Sequence, residues 1–170
     1  SALSRCLFVL LTLSCGCEEP KVEKLRNKTS IIVLGTAQDA GAPHIACNKT
    51  CCATLRKQNI QKPVTCLGLF DSRTQKKYLF EATPDLPNQV KQLMAFGVES
   101  DKELPDGIFV THAHIGHYTG LMYLGKEAVN STNVPVYVMP KMELFLRENG
   151  PWNQLVETKN LTLKQLKKNH

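Results

Sequence analysis

Three histidines lie within six positions of the stretch THAHIGHYTGL, residues 111–121. One residue separates His112 from His114, so in an extended backbone both imidazole rings point to the same side. His117 follows three positions later and can turn towards them. Neutral imidazole nitrogens are standard zinc ligands, with bonds of about 2.0–2.1 Å. The spacing therefore predicts a metal site formed by these three histidines.

A second group of candidate ligands lies in the stretch HIACNKTCCATL. Cys47, Cys51 and Cys52 have a spacing that suits zinc thiolates, and His44 is a candidate fourth ligand. In an oxidising compartment, Cys47 could instead form a disulfide with either of the other two, which as neighbours rarely pair with each other. Of these interpretations of the cysteine cluster, we favour a structural zinc site over a disulfide, and a disulfide over a reactive thiol. Cys66, in a predicted strand, is expected to be buried.

One carboxylate is a candidate for acid–base chemistry beside the metal. Asp85, in the stretch EATPD, follows a predicted strand and faces the same end of the sheet as the histidines. A helix begins directly after it, and aspartate is a common residue at a helix N-cap. We expect capping to be its main role and catalysis its weaker alternative.

The surrounding sequence predicts the elements that carry these residues. Short β-branched or alternating runs predict strands over residues 30–36, 65–72, 76–82, 107–112 and 134–140. Helical spacing predicts helices over residues 47–59, 86–96, 118–130 and 140–149, with a further element beginning at residue 151. The final stretch LKQLKKNH is predicted to be an amphipathic helix. Strands followed by alternating helices and strands indicate a layered α/β domain.

The first residues are typical of a targeting segment. Arg5 is followed by the apolar run CLFVLLTL, which is too short to span a bilayer but suits a signal peptide. We predict a signal of the lipoprotein type over residues 1–17, lipidated at Cys15, and a tether over residues 18–29. The protein is then expected in the cell envelope or periplasm, anchored to the membrane only by lipid, or otherwise secreted.

Composition places the rest of the chain among ordinary globular domains. The 170 residues are 42% hydrophobic and 21% charged, which indicates about one domain. The net charge is +6, but the lysines are scattered and only 6% of the residues are aromatic. A base-stacking surface would interleave basic and aromatic residues. We therefore expect no nucleic-acid partner, and a small-molecule substrate instead.

The histidine stretch resembles the His-x-His-x-Asp-His motif of the metallo-β-lactamase superfamily. The stretches IIVLGTAQDAGAPHIAC, YLFEATPDLPNQV, THAHIGHYTGLMYLG, VPVYVMPKMELFL and PWNQL occur in the order found in its pyrroloquinoline quinone biosynthesis protein B branch. The resemblance implies a four-layer αββα sandwich. Residues 30–170 would form its N-terminal half, truncated at the C-terminal end and preceded by the signal segment.

The resemblance also implies roles for the histidines. His112 and His114 would bind a first metal, and His117 would serve a second. The aspartate that the motif places before its last histidine is Gly116 here, so we expect one zinc ion at this site rather than two. The remaining ligands of the family come from beyond His170. A cysteine-rich zinc segment in the related proteins favours a second, structural zinc at the cysteine cluster.

Zinc chemistry leads to the predicted function. A bound zinc lowers the pKa of its water from about 15.7 to about 7 and polarises carbonyl or phosphoryl oxygens. We predict a metal-dependent hydrolase that acts through metal-bound hydroxide on a small ester, lactone, amide or phosphodiester. Because Gly116 removes a carboxylate, two alternatives stay open. One is a non-hydrolytic member related to redox-cofactor biosynthesis, as an oxidase or carrier, and the other is a metal-binding scaffold without catalysis.

Overall fold

The computed structural model of the chain describes residues 28–97 and 101–168. The predicted signal segment and its lipidated Cys15 lie outside the described residues, as does most of the tether, so these assignments stay predictions. Among the helices of the described ranges, none has the length and apolar character needed to cross a membrane.

Six strands form a mixed sheet whose spatial order is the same as the chain order. They are β1 (Ser30–Gly35), β2 (Cys66–Asp71), β3 (Lys76–Phe80), β4 (Gly107–Phe109), β5 (Val134–Val138) and β6 (Leu161–Gln165). The pairs β1–β2 and β2–β3 are antiparallel, so the two strands predicted over residues 65–72 and 76–82 form a hairpin. The pairs from β3 to β6 are parallel.

Four helices and two short 3₁₀ segments connect the strands. The helices are α1 (Thr50–Lys57), α2 (Leu86–Met94), α3 (Pro140–Glu148) and α4 (Trp152–Glu157), and the 3₁₀ segments are Ile115–His117 and Thr119–Leu124. The core lies between one face of the sheet and the helices α2, α3 and α4, together with the 3₁₀ segment Thr119–Leu124. Fully buried residues such as Leu79 and Val136 alternate with half-buried positions along their strands, as the period of two requires.

The opposite face of the sheet is also apolar, but no helix of the described residues packs on it. Ile31 and Val33 are 72% and 62% exposed on this face. Phe109 stacks between Phe80 and Tyr137, with ring centroids 5.0 and 4.5 Å away. The described residues thus form one sheet, and its uncovered face is the one on which a second sheet would pack in a four-layer sandwich.

The prediction of a C-terminal helix in LKQLKKNH was wrong for the residues described. Residues 163–165 belong to β6, and residues 166–168 have no regular structure. In β6, Leu161 and Leu163 are buried and pair in parallel with Val134 and Val136 of β5. Burial of this alternate-residue pattern against the sheet outweighed the local helical spacing.

The helix predicted over residues 118–130 was also wrong. Residues 119–124 form a 3₁₀ segment, and the chain then turns to Asn130, which has a φ of 46°. A Cβ at Gly120 would lie 2.1 Å from the carbonyl oxygen of Thr83, so the segment is pressed directly against neighbouring backbone. This close approach fixes the path of the chain beside the histidines.

The topology brings three loops to one edge of the sheet. Strands β1, β3 and β4 run in the same direction, because β1 and β3 are both antiparallel to β2 and β4 is parallel to β3. Their carboxyl ends therefore meet at one edge, where ligands gather in α/β sheets. Asp39, Glu81 and His112 all follow these strand ends.

Candidate metal centre

The first two histidines face each other beyond the end of β4. His112 Nε2 lies 3.1 Å from His114 Nδ1, and the two ring centroids are 4.7 Å apart. Both residues are exposed and extended, as the one-residue spacing predicted. The structure therefore brings together the nitrogens of the two histidines that were expected to share an ion.

The third histidine approaches from the 3₁₀ segment Ile115–His117. Its ring centroid lies 4.1 Å from that of His112. Its backbone carbonyl accepts a hydrogen bond of 2.9 Å from the N–H of Ala82, which ties this segment to the end of β3. Its Nε2 lies 3.1 Å from Asp39 Oδ1, whereas its Nδ1 lies 3.6 Å from Glu81 Oε2. His117 is thus placed between two carboxylates.

Glu81 is a buried carboxylate directly after β3. The residue is 7% exposed, and its backbone N–H donates a 2.8 Å hydrogen bond to the carbonyl of Phe109. Its φ of 79° lies in the left-handed region, which non-glycine residues rarely adopt and which costs about 1–3 kcal/mol. Backbone strain of this kind persists where the surrounding structure fixes a residue in place, and it is common at functional sites.

Thr111 connects Glu81 to the histidines. Its hydroxyl donates a short hydrogen bond to Glu81 Oε1, and its backbone N–H approaches Oε2 at 3.3 Å. The same hydroxyl lies 2.8 Å from His112 Nδ1. Because the hydroxyl proton is directed to the carboxylate, its oxygen can accept the Nδ1 proton of His112. This leaves a lone pair on His112 Nε2, the atom that faces His114.

The donor atoms at this edge fit a metal ion. One donor atom from each of Glu81, His112 and His117 lies within 4.8 Å of the other two. Among the described residues, His117 Nδ1 is the buried side-chain polar atom that lacks a hydrogen-bond partner. Imidazole nitrogens and carboxylate oxygens are the donors that zinc binds. The site therefore combines a matching donor set with a buried polar atom that has no hydrogen bond.

The structure does not bring Asp85 into this donor group. Asp85 is the N-cap residue of α2, but its side chain makes no capping hydrogen bond. Its Oδ2 instead accepts a 2.8 Å hydrogen bond from the N–H of Val64. The carboxylate holds the loop before β2 against the start of α2, a role that the sequence did not predict.

The cysteine cluster lies on α1 and the loop before it. The sulfur atoms of Cys47, Cys51 and Cys52 lie within 4.8 Å of one another, and all three are unpaired. The ring of His44 is not in this group: its Nδ1 lies 2.9 Å from the carbonyl of its neighbour Ile45. Its backbone N–H points to Cys52 Sγ at 3.4 Å. Three thiols thus converge without the fourth ligand that the sequence suggested.

Cys66 is separate from this cluster and 1% exposed. Burial, together with the nearby charges of Glu81 and Asp85, raises the pKa of its thiol to about 12. The side chain is therefore a neutral thiol at physiological pH, in agreement with the predicted buried role.

An open cleft of about 920 Å³ lies next to the histidines. Asp39 forms part of its wall and also contacts His117, so the cleft borders the donor group. Its charged and amide lining residues are Asp39, Gln61, Lys62, Asp85, Asn88, Lys91 and Gln92. A small molecule in the cleft would meet both signs of charge.

The sequence gives little indication that Glu81 and Asp39 lie beside the histidines. Glu81 is 30 positions from Thr111, and Asp39 is 78 positions from His117. The available signal was that each carboxylate follows a predicted strand. If strands of equal direction had been aligned from the sequence, both would have been placed at the histidine edge.

Two solved structures resemble this chain. Zn(2+)-bound PqqB from Methylobacterium extorquens matches with a TM-score of 0.66 and 17% identity, over 82% of this chain and 50% of that one. A diphosphatase described as new and from the PhnP family matches with a TM-score of 0.58 and 20% identity, over 82% of this chain and 51% of that one. The chain spans about half the length of both. No protein-family model and no curated protein matches the sequence.

Fold and site together define the class of protein. The chain has the metallo-β-lactamase fold and carries a histidine–carboxylate group that can hold a metal ion. Its fold resembles that of PqqB, and this likeness of fold confirms the resemblance predicted from its sequence motifs.

Proposed function

We propose that this protein is a metal-dependent hydrolase whose zinc is held by His112 and His114, with His117 beside them. The observation that carries the proposal is the approach of His112 Nε2 to His114 Nδ1 at 3.1 Å. Two donors bound at 2.0–2.1 Å to one tetrahedral ion lie about 3.3 Å apart. When bound, the zinc would supply an acidified water and a Lewis acid for carbonyl or phosphoryl oxygens.

In this proposal Glu81 supports the histidines rather than binding the ion. Both of its carboxylate oxygens already face Thr111, and Oε2 also faces His117 Nδ1. Metal-binding histidines commonly direct their second nitrogen to a carboxylate or a carbonyl, which fixes the ring and its tautomer. Glu81 would hold His117 directly and His112 through the Thr111 hydroxyl.

The substrate is proposed to be a small ester, lactone, amide or phosphodiester that binds in the cleft beside Asp39. Lys62 and Lys91 would attract an anionic part of such a molecule, and Asn88 and Gln92 offer amide hydrogen bonds. The proposed location, the cell envelope, is supported by the composition of residues 1–17 alone.

The first test is the metal content of the purified protein and of two histidine variants. His112→Ala should lose one ion per chain, because one of the two nitrogens assigned to that ion is removed. His44→Ala, which removes an exposed histidine outside the donor group, should keep that ion. Equal metal content in the wild type and in His112→Ala would contradict the proposed site.

The reaction is tested with a panel of ester, lactone, amide and phosphodiester substrates. The wild type should hydrolyse at least one class, and His112→Ala should lower kcat/KM for it by at least about 100-fold. If the protein binds its metal but leaves the whole panel unchanged, the hydrolase proposal fails. The non-hydrolytic alternative, a protein of redox-cofactor biosynthesis or a metal carrier, would then be favoured.

A further inference from the structure

Gly116 is required for space, not for backbone conformation. Its φ lies outside the left-handed region. Among the described residues, the glycines that adopt a left-handed φ are Gly41 and Gly97. A Cβ at residue 116 would lie 2.5 Å from Asp39 Cβ and 2.9 Å from Asp39 Cγ. No side chain can fit at residue 116 while Asp39 keeps its position. The side chain of Asp39 therefore occupies the volume that residue 116 leaves free.

The carboxylate of Asp39 faces the third histidine from that volume. Asp39 Oδ1 lies 3.1 Å from His117 Nε2. The loop after β1 carries Asp39 to this position, although 78 positions separate it from His117. The Asp39 side chain is 46% exposed, so its other oxygen can reach the adjoining cleft.

The Asp39–His117 pair has the same separation as the pair formed by His112 and His114. Both pairs are 3.1 Å apart, close to the roughly 3.3 Å expected of two donors on one tetrahedral zinc. The other nitrogen of His117, Nδ1, points towards Glu81 Oε2 at 3.6 Å, which is beyond hydrogen-bond distance, so Nε2 is the nitrogen that Asp39 contacts directly. The Nε2 atom of His117 is thus left to bind metal together with Asp39.

We propose that Asp39 supplies, from a different loop, the carboxylate that Gly116 lacks, and that Asp39 and His117 form a second metal position. The inference rests on the proposed function, since the second position adjoins the ion assigned to His112 and His114. It replaces the expectation of one ion at the histidine site, which followed from Gly116 alone. It also explains why residue 116 is glycine.

The test counts cobalt ions bound to the full chain at equilibrium. Co²⁺ bound by thiolates gives a charge-transfer absorption that nitrogen and oxygen ligands do not, so ions at the cysteine cluster are subtracted. The wild type should bind two further ions, and Asp39→Asn should bind the second at least about 100-fold more weakly. Loss of a merely supporting carboxylate costs about 10–100-fold. Asp101→Asn, at an exposed position, should keep both.

A second test exchanges the residues at positions 39 and 116. Gly116→Asp alone should destabilise the fold, because the new Cβ would overlap Asp39. The exchange Asp39→Gly with Gly116→Asp removes that overlap, although the Cα of residue 39 at 2.9 Å must shift slightly. Binding of the second cobalt ion should then return to within about tenfold of the wild type. If the exchanged protein does not fold, Asp39→Asn still decides the question.

The outcomes separate this inference from the proposed function. A second ion retained within tenfold by Asp39→Asn would overturn the inference, because Asp39 would then only hydrogen-bond His117. A wild type that binds a single ion at nitrogen and oxygen donors, lost in His112→Ala, would also overturn it while leaving the proposed function intact. If the ion count does not change in His112→Ala either, the proposed function itself fails.

Discussion

The two candidate metal sites of this protein are built in opposite ways. The cysteine cluster takes its three thiols from residues 47–52, six consecutive positions on α1 and the preceding loop. The histidine centre combines residues from loops after β1, β3 and β4, and its supporting contacts span 30 and 78 positions. The first can form within a short segment, whereas the second requires the assembled sheet.

The contacts around the two sites also differ in whether they are local or come from distant parts of the chain. Arg56 binds the carbonyl of Cys47 and, at 2.8 Å, that of His44, so the cluster is stabilised by its own helix. Glu81, by contrast, is buried and strained; it is connected to His112 through the Thr111 hydroxyl, and its Oε2 lies 3.6 Å from His117 Nδ1. We therefore expect changes in the framework to disturb the histidine centre and to leave the cysteine cluster intact.

The largest expected effect comes from Gly120→Ala. The added Cβ would lie 2.1 Å from the carbonyl oxygen of Thr83, a backbone atom that cannot rotate away. The free energy of unfolding should fall by about 3 kcal/mol, measured by denaturant titration. Because Gly120 packs beside the segment that carries His117, cobalt binding at the histidine centre should weaken, while thiolate–cobalt absorption persists in the folded fraction.

Gly150→Ala is the matched control for this change. The nearest atom to its added Cβ is Asn153 Oδ1 at 3.7 Å, an ordinary contact, and the unfolding free energy should stay within about 0.5 kcal/mol. Equal stabilities for the two alanine variants would show that the close approach at Gly120 does not constrain the fold. Equal weakening of both metal sites would contradict the distinction between them.

An intermediate effect is expected from Glu81→Gln. The amide keeps the shape of the side chain and one oxygen acceptor for Thr111, but it loses the charge that faces His117. Metal affinity at the histidine centre should fall by about 10–100-fold in a cobalt titration, and the cysteine cluster should be unaffected. Glu127→Gln, at an exposed position, serves as the control. Complete loss of an ion would instead identify Glu81 as a ligand.

The smallest expected effect concerns the thiols. Iodoacetamide at pH 8 should modify the exposed Cys51, and zinc should slow that reaction if the cluster binds the ion. Cys66 should not react in the folded protein with or without zinc, because burial raises the pKa of its thiol to about 12. Mass spectrometry of labelled peptides measures both. An unchanged rate at Cys51 with saturating zinc would argue against the structural zinc.

Much of the fold follows from local sequence patterns. Short β-branched or alternating apolar runs predict β1, β2, β3 and β5, and helical spacing that begins at Pro140 predicts α3. The two wrong helices lie where tertiary contacts outweigh local preference. Residues 161–165 are drawn into the sheet by β5, and residues 119–124 are confined by the close packing of Gly120.

Some residues of the candidate site could likewise be predicted from local spacing, whereas others are set by tertiary contacts. The spacing of His112 and His114 is sufficient to bring their nitrogens together, because alternate side chains of an extended chain share a face. Glu81 and Asp39 could not be selected from spacing, since their partners are distant in the chain. Asp85, which the sequence offered as a helix cap and only secondarily as a catalytic carboxylate, accepts a hydrogen bond from Val64 instead.

The sequence by itself determined the local chemistry of this protein: two imidazoles on one side of a strand end, three thiols on a short helix and the loop before it, and most of the strands and helices that carry them. Only the tertiary structure decided which carboxylates join the histidines. Strands β1, β3 and β4 run in the same direction, so their carboxyl ends meet at one edge. Because Gly116 has no side chain, Asp39 can approach His117 at that edge.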